Sequence, residues 1–171
     1  MRFRHLSQGG RYFRVADPGW DDPLDGSYAA QDGGRWNPSD SFAVIYLNRD
    51  RATARANADH KLAGQPFTWD DMRPERRPLL IGTEVAPQRY VDIVTDRGCR
   101  AAGLPDTYPL DTDGAMIGHS VCQPIGLAAH DQGEPGIACR SAATATAEGE
   151  ELAWFQREAR LRPESQPEPF E

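Results

Sequence analysis

The chain of 171 residues is long enough for one domain with a sizeable core and too short for two of ordinary size. Its 19 Lys and Arg against 26 Asp and Glu give a formal net charge of -7, which argues against a nucleic-acid groove or an anionic membrane surface as the main partner. No apolar run approaches bilayer length, and the start, Met1-Arg2-Phe3-Arg4-His5, lacks the apolar stretch of a signal peptide, so a soluble cytoplasmic protein is expected.

Arg11 to Val15 reads as a short strand. The segment from Ala16 to Asp32, rich in Asp, Gly and Pro with Trp20 and Tyr28 embedded, reads as a long ordered loop. It leads into Gly33-Gly34-Arg35-Trp36-Asn37, the most suggestive stretch of the chain. The glycine pair lets backbone approach a ligand, the arginine supplies a planar positive fork, and Trp36 offers a large rigid face. Such a combination suits a phosphate or a dinucleotide. Phe42 to Leu47 is a continuous apolar run bounded by turn signals, hence a buried strand. Asp50 is a suitable N-cap for a helix over the alanine-rich stretch Arg51 to Leu62, which Gly64 stops. On that helix Asn57 and His60 share a face with Thr53, so a polar face looks into a cleft.

Pro66 to Pro78 is a charged connector. Leu79 to Val85 and Tyr90 to Val94 read as two strands, paired with each other across Ala86-Pro87-Gln88-Arg89. Between Asp113 and Ala129, Ile117, Val121, Pro124 and Ala128 fall on one helical stripe that Pro124 kinks or breaks. Gly136 to Cys139 and Glu151 to Phe155 are short strands with a loop between them, and Arg140-Ser141 follows the first. The stretch Arg162 to Glu171, rich in proline and glutamate, reads as a disordered tail, leaving a single domain over 1–161.

Strands and helices come in mixed order without regular alternation, so an α+β fold is expected. Neither Gly-x-Gly-x-x-Gly after a strand nor Gly-x-x-x-x-Gly-Lys is present, so any nucleotide must be held by other means. Lys61 is the only lysine, and the remaining positive charge is arginine. Cys99, Cys122 and Cys139 are an odd set without disulfide spacing, which fits a reducing compartment. His119 and Cys122 are spaced compatibly with a metal, but the pattern is too loose to identify zinc, and no metal is expected.

Four segments, in this order, resemble the RES domain family, the toxin half of a bacterial toxin-antitoxin system: Tyr12-Phe13-Arg14-Val15, Gly33-Gly34-Arg35-Trp36-Asn37, Val44-Ile45-Tyr46-Leu47, and Gly133-x-x-Gly136-Ile137 followed by Arg140-Ser141-Ala142. The resemblance implies an ADP-ribosyltransferase-like fold, a mixed β-sheet core with flanking helices, and a cleft that takes NAD as substrate. It implies cleavage of the nicotinamide-ribose bond with ADP-ribose passing to water, phosphate or a protein. The implied partner is a cognate antitoxin protein with a DNA-binding domain; a second copy of the chain is a further candidate. In this scheme Arg14 and Arg35 hold the pyrophosphate, Tyr46 packs beside the nicotinamide or its ribose, and Ser141 orients that end. Arg35, Tyr46, Asn57 and Ser141 form the implied catalytic set.

At one point the chain departs from the family pattern. The acidic residue expected on the helix, eleven positions after Tyr46, is Asn57. Asparagine bonds a ribose hydroxyl but brings no negative charge to a developing oxocarbenium ion, and losing one preorganised interaction of that kind costs about 2.7 to 4 kcal/mol. Asp50, on the same helix face, and Glu84 are candidate substitutes, whereas Asp59 points to another side. Three outcomes stay open: an NAD-consuming toxin, a degenerate member that binds NAD or a protein partner without turnover, or a purely structural or interaction domain whose arginines make internal salt bridges.

Overall fold

Val44, Ile45 and Leu47, and then Leu152 to Phe155, are buried on successive positions rather than alternate ones, so the sheet they build is covered on both faces. The computed structural model describes residues 1–144 and 148–170. In chain order it contains β1 (His5–Ala16), α1 (Ser27–Asp32), β2 (Val44–Asn48), α2 (Arg51–His60), β3 (Leu79–Ile93), α3 (Asp96–Ala101), α4 (His119–Asp131), β4 (Gly136–Arg140), β5 (Glu150–Phe155) and β6 (Glu168–Pro169). Strand order is β1-β2-β5-β4-β3-β6, antiparallel except for the β3–β4 pair. A further β1–β3 pairing returns the ladder on itself. The expected α+β class, a mixed sheet with flanking helices, is the one observed.

One apolar cluster draws on β1 to β5 together: Tyr12, Ile45, Leu47, Ile81, Val85, Tyr90, Ala138, Leu152 and Trp154. On the other face Val44, Ile93, Ile137, Ala153 and Phe155 meet Cys99 of α3, Cys122, Ile125 and Ala129 of α4, and Trp36. A third cluster places Ala54 and Ala58 of α2 against Phe13 and Val15 of β1. Among the described residues, no helix is long and apolar enough to cross a membrane.

Several expectations need correction. The two strands expected around Ala86 to Arg89 are one continuous strand, β3, whose partner along most of its length is β1, from His5↔Val91 to Ala16↔Leu79. The four successive exposed residues Ala86 to Arg89 look like a loop only because they lie outside the core. Pro87 is tolerated there because Gly9 lies opposite: a Cβ on Gly9 would sit 2.6 Å from the Pro87 Cα. The loop from Ala16 to Asp32 ends in α1, and α3, capped by Thr95, was not anticipated. Helix α4 continues unbroken through Pro124 but buries Cys122, Ile125, Gly126 and Ala129, leaving Val121 51% exposed. The buried stripe is therefore offset by one residue from the expected one.

Among the described residues, 162–170 of the expected tail make contacts with the sheet. Thr83 donates its hydroxyl to the Arg162 carbonyl at 2.8 Å, Glu164 pairs with Arg11 at 2.6 Å, and β6 lies on Leu79 and Leu80. Phe170, 7% exposed, joins the cluster under α2. Prolines that lack a donor are accepted at a sheet edge, and one aromatic anchor offsets the ordering cost of a short segment.

Candidate functional site

Asp50 accepts from the Thr53 amide at 2.7 Å, the expected N-cap, and so starts α2 directly after β2. This places Tyr46, Asn48, Asn57 and His60 along one cavity of about 400 Å³. Arg14 and Val15 of β1, Trp20, Tyr28, the Gly33-Gly34-Arg35 segment, Lys61, His119 and Glu151 complete most of its lining.

The glycine pair has a different use from the one expected. Gly33 adopts a φ of 78, but Gly34 is small because of Tyr46: a Cβ on it would lie 2.5 Å from the phenolic oxygen. That hydroxyl accepts from the Trp36 amide at 2.9 Å and donates to Asn37 Oδ1 at 2.7 Å, while Asn37 Nδ2 donates to the Ala29 carbonyl at 2.6 Å. Tyr46 thereby pins the motif, and burial pushes its phenol well above the ordinary range, so it remains a neutral wall of the cavity. Trp36 does not face a ligand; it is fully buried and tilted against Tyr108, with ring centroids 5.9 Å apart. Besides Tyr46, the aromatic surface of the cavity comes from Trp20 and Tyr28, stacked at 4.3 Å.

Two arginines reach this space from different elements. Arg35 donates from Nη1 to the Ile117 carbonyl at 2.8 Å. Arg14 is 4% exposed, lies 5.1 Å over the Trp20 ring and donates from Nη2 to the Asp25 carbonyl at 3.4 Å. Its Nη1 is buried with no acceptor among the described residues. Burial pulls the Arg14 pKa down to about 10, with Asp25 and Asp22 opposing the shift. Burial also lowers Lys61, with the Arg14 charge adding to the effect, and lowers His119 together with the charge of Arg35. The cavity therefore has a strongly cationic side.

Its other side is an amide and carboxylate cluster. Asn57 Nδ2 donates to Asn48 Oδ1 at 2.7 Å and to Glu151 Oε1 at 2.9 Å. Asn48 stands directly opposite Glu151 in the β2–β5 ladder and is held by its own bond to the Phe13 carbonyl at 3.1 Å. Glu151 was not identified as a candidate from the sequence. The available signal was an acid at the mouth of a strand whose next four residues are all buried.

Of the expected site residues, Arg14, Arg35, Tyr46 and Asn57 line this one cavity, and Ser141 does not. Ser141 is fully buried; its amide donates to the Gly149 carbonyl at 2.6 Å and its hydroxyl accepts from the Ala143 amide at 3.2 Å, so it shapes the turn that presents Ala142 and Ala143. Neither substitute acid is placed to serve. Asp50 is occupied as a cap, and Glu84 is exposed on β3 opposite Arg11, outside the cavity. The three cysteines are buried and unbridged, and among the described residues no group of three or more His, Cys, Asp or Glu is placed to hold a metal ion.

Comparison with known proteins adds two matches. The RES domain model matches residues 11–171. Among solved structures, the crystal structure of the M. tuberculosis MbcT-MbcA toxin-antitoxin complex contains a chain with a TM-score of 0.76 and 24% identity, covering 97% of this chain and 86% of that one. The two share a fold. No curated protein matches the sequence.

Proposed function

The chain belongs to the RES domain family, and from this we propose that its cavity binds NAD and that the protein acts as a toxin, cleaving the nicotinamide-ribose bond. The observation that carries the reading is Arg14: a residue lining the cavity whose guanidinium is buried and lowered in pKa, with an Nη1 that has no acceptor among the described residues. A pyrophosphate oxygen offers the missing acceptor and a negative charge in place of the hydration that burial has removed. Arg35 supplies a second fork on the same side, and the Trp20–Tyr28 stack gives a planar ring a surface.

In the reaction the C1′–N bond breaks and its electron pair stays on the nicotinamide nitrogen, cancelling the pyridinium charge. An oxygen of water or phosphate, or a nucleophilic group of a protein, bonds to C1′. Water or a protic protein group loses a proton in the process, whereas hydrogenphosphate attacks through an unprotonated oxygen and keeps its one proton. Ser141 acts on this scheme by shaping the turn at the cavity rather than by touching the ribose.

A toxin of this kind needs a neutralising partner, and the fold-mate was crystallised as a toxin-antitoxin complex. We assign the chain a cognate antitoxin, encoded nearby, and a cytoplasmic site of action where NAD is available. A second reading, binding without turnover, is favoured by Asn57 at the position of the family's acid.

Purified protein incubated with NAD, with and without phosphate, is expected to release nicotinamide, followed by chromatography. Arg14→Ala and Arg35→Ala should each weaken NAD binding roughly ten- to a hundredfold, the value of a charge-assisted hydrogen bond. NAD binding without nicotinamide release supports the second reading. Absence of both rejects the two together.

A further inference from the structure

We infer that Glu151 is the catalytic carboxylate of this cavity, the acid having moved from α2 to β5 while Asn57 became its positioning partner. The inference rests on the NAD-cleaving reading above and assigns the one charge which that reading lacks.

Three observations carry it. First, Glu151 lies where the charge is needed: its Oε1 is 2.9 Å from Asn57 Nδ2, so the carboxylate occupies the space beside the position that carries the acid in the family pattern. In the β2–β5 ladder it faces Asn48, two residues beyond Tyr46 on the same face of β2. Second, its charge is available. Among the described residues Glu151 takes part in no ion pair, and its Oε2 accepts no hydrogen bond, although Arg14, Arg35 and Lys61 line the same cavity. A half-buried carboxylate held by an amide instead of a cation keeps its field for a ligand. Third, the amide nitrogen of Asn57 is within reach of three acceptors, Asn48 Oδ1, Glu151 Oε1 and, at 3.4 Å, the Thr53 carbonyl, so its two hydrogens are committed: Asn57 orients the acid and has no donor left for substrate.

With NAD seated so that its pyrophosphate meets Arg14 and Arg35, the nicotinamide ribose reaches the amide and carboxylate side. Glu151 Oε2 accepts a hydrogen bond from a ribose hydroxyl. As the C1′–N bond breaks and its electron pair leaves on the nicotinamide nitrogen, the carboxylate faces the positive charge that grows on C1′ and the ring oxygen. The acceptor oxygen then bonds to C1′, and when the acceptor is water its proton goes to solvent. Glu151 neither gives nor takes a proton in this step.

The test compares wild type with Glu151→Gln, Asn57→Glu and the exchange Asn57→Glu/Glu151→Asn, each followed for NAD binding by calorimetry, for kcat and KM of nicotinamide release, and for thermal midpoint. Glu151→Gln keeps the shape and the acceptor oxygen but not the charge. The expected result is a kcat lowered by a hundredfold or more with KM changed less than about threefold, against NAD binding close to wild type. The exchange should restore most of the lost kcat, a rescue that a purely structural contact between α2 and β5 would not produce. Wild-type turnover that survives in Glu151→Gln overturns the role of Glu151 alone. Wild type that binds NAD inertly, with turnover appearing only in Asn57→Glu, also overturns it while leaving the NAD site intact. Protein that neither binds nor cleaves NAD overturns both readings. Should Glu151→Gln fail to fold, the exchange variant decides: folded and inactive, it counts against the inference.

Discussion

At the scale of single residues, Gly34 and Tyr46 depend on each other. The phenol fills the space a side chain at 34 would need, and its hydroxyl is the partner of both the Trp36 amide and the Asn37 side-chain carbonyl. Tyr46→Phe should leave those two groups unpaired in a half-closed site and lower stability by about 1–3 kcal/mol, measured by urea unfolding. Gly34→Ala should cost at least as much, because the phenol itself has to move. The motif at 33–37 was legible in the sequence as a glycine-arginine-aromatic anchor, and Arg35 does line the cavity. The role of Trp36 was not legible: whether a large ring faces a ligand or a core depends on what packs against it, and here Tyr108 arrives from 72 residues downstream.

At the scale of elements, close backbone approach decides which helix face is buried. Helix α4 lies so near the Gly33–Asn37 segment that a Cβ on Gly126 would fall 1.7 Å from the Trp36 carbonyl oxygen. Gly126→Ala should therefore destabilise by about 1–3 kcal/mol or more, seen as a lower thermal midpoint, even though alanine is the better helix former. This explains why the apolar pattern misplaced the α4 stripe: Val121 looks like a core residue but is exposed, and Ala128 packs only partly buried against the core, because contact with the loop requires the face centred on Gly126. Helix α2 is the converse case. Its cap and its alanine content are local signals, and they placed it correctly, one or two residues aside. Asp50→Ala should remove about 0.5–2 kcal/mol of stability, again measured by unfolding, and fray the first turn that leads to Asn57.

At the scale of the whole molecule, residues 162–170 belong to the fold. Phe170 closes the cluster between α2 and β1, and Phe170→Ala should cost roughly 3 kcal/mol, readable as a fall in the urea midpoint without change in slope. A composition rich in proline and glutamate signals disorder when nothing pairs with it. The open edge of β3 pairs with it here. The same long-range pairing creates the site: β2 and β5 bring together Asn57 and Glu151, which are 94 residues apart in sequence.

By itself the sequence determined the residue types of the site, the strand and helix that carry Tyr46 and Asn57, the two arginines, and the family, because these rest on local periodicity, capping and motif order. The tertiary structure alone decided which acid stands beside Asn57, where Trp36 points, and that the tail is held. Each of those depends on partners distant in the chain, and composition carries no record of which strands will lie side by side.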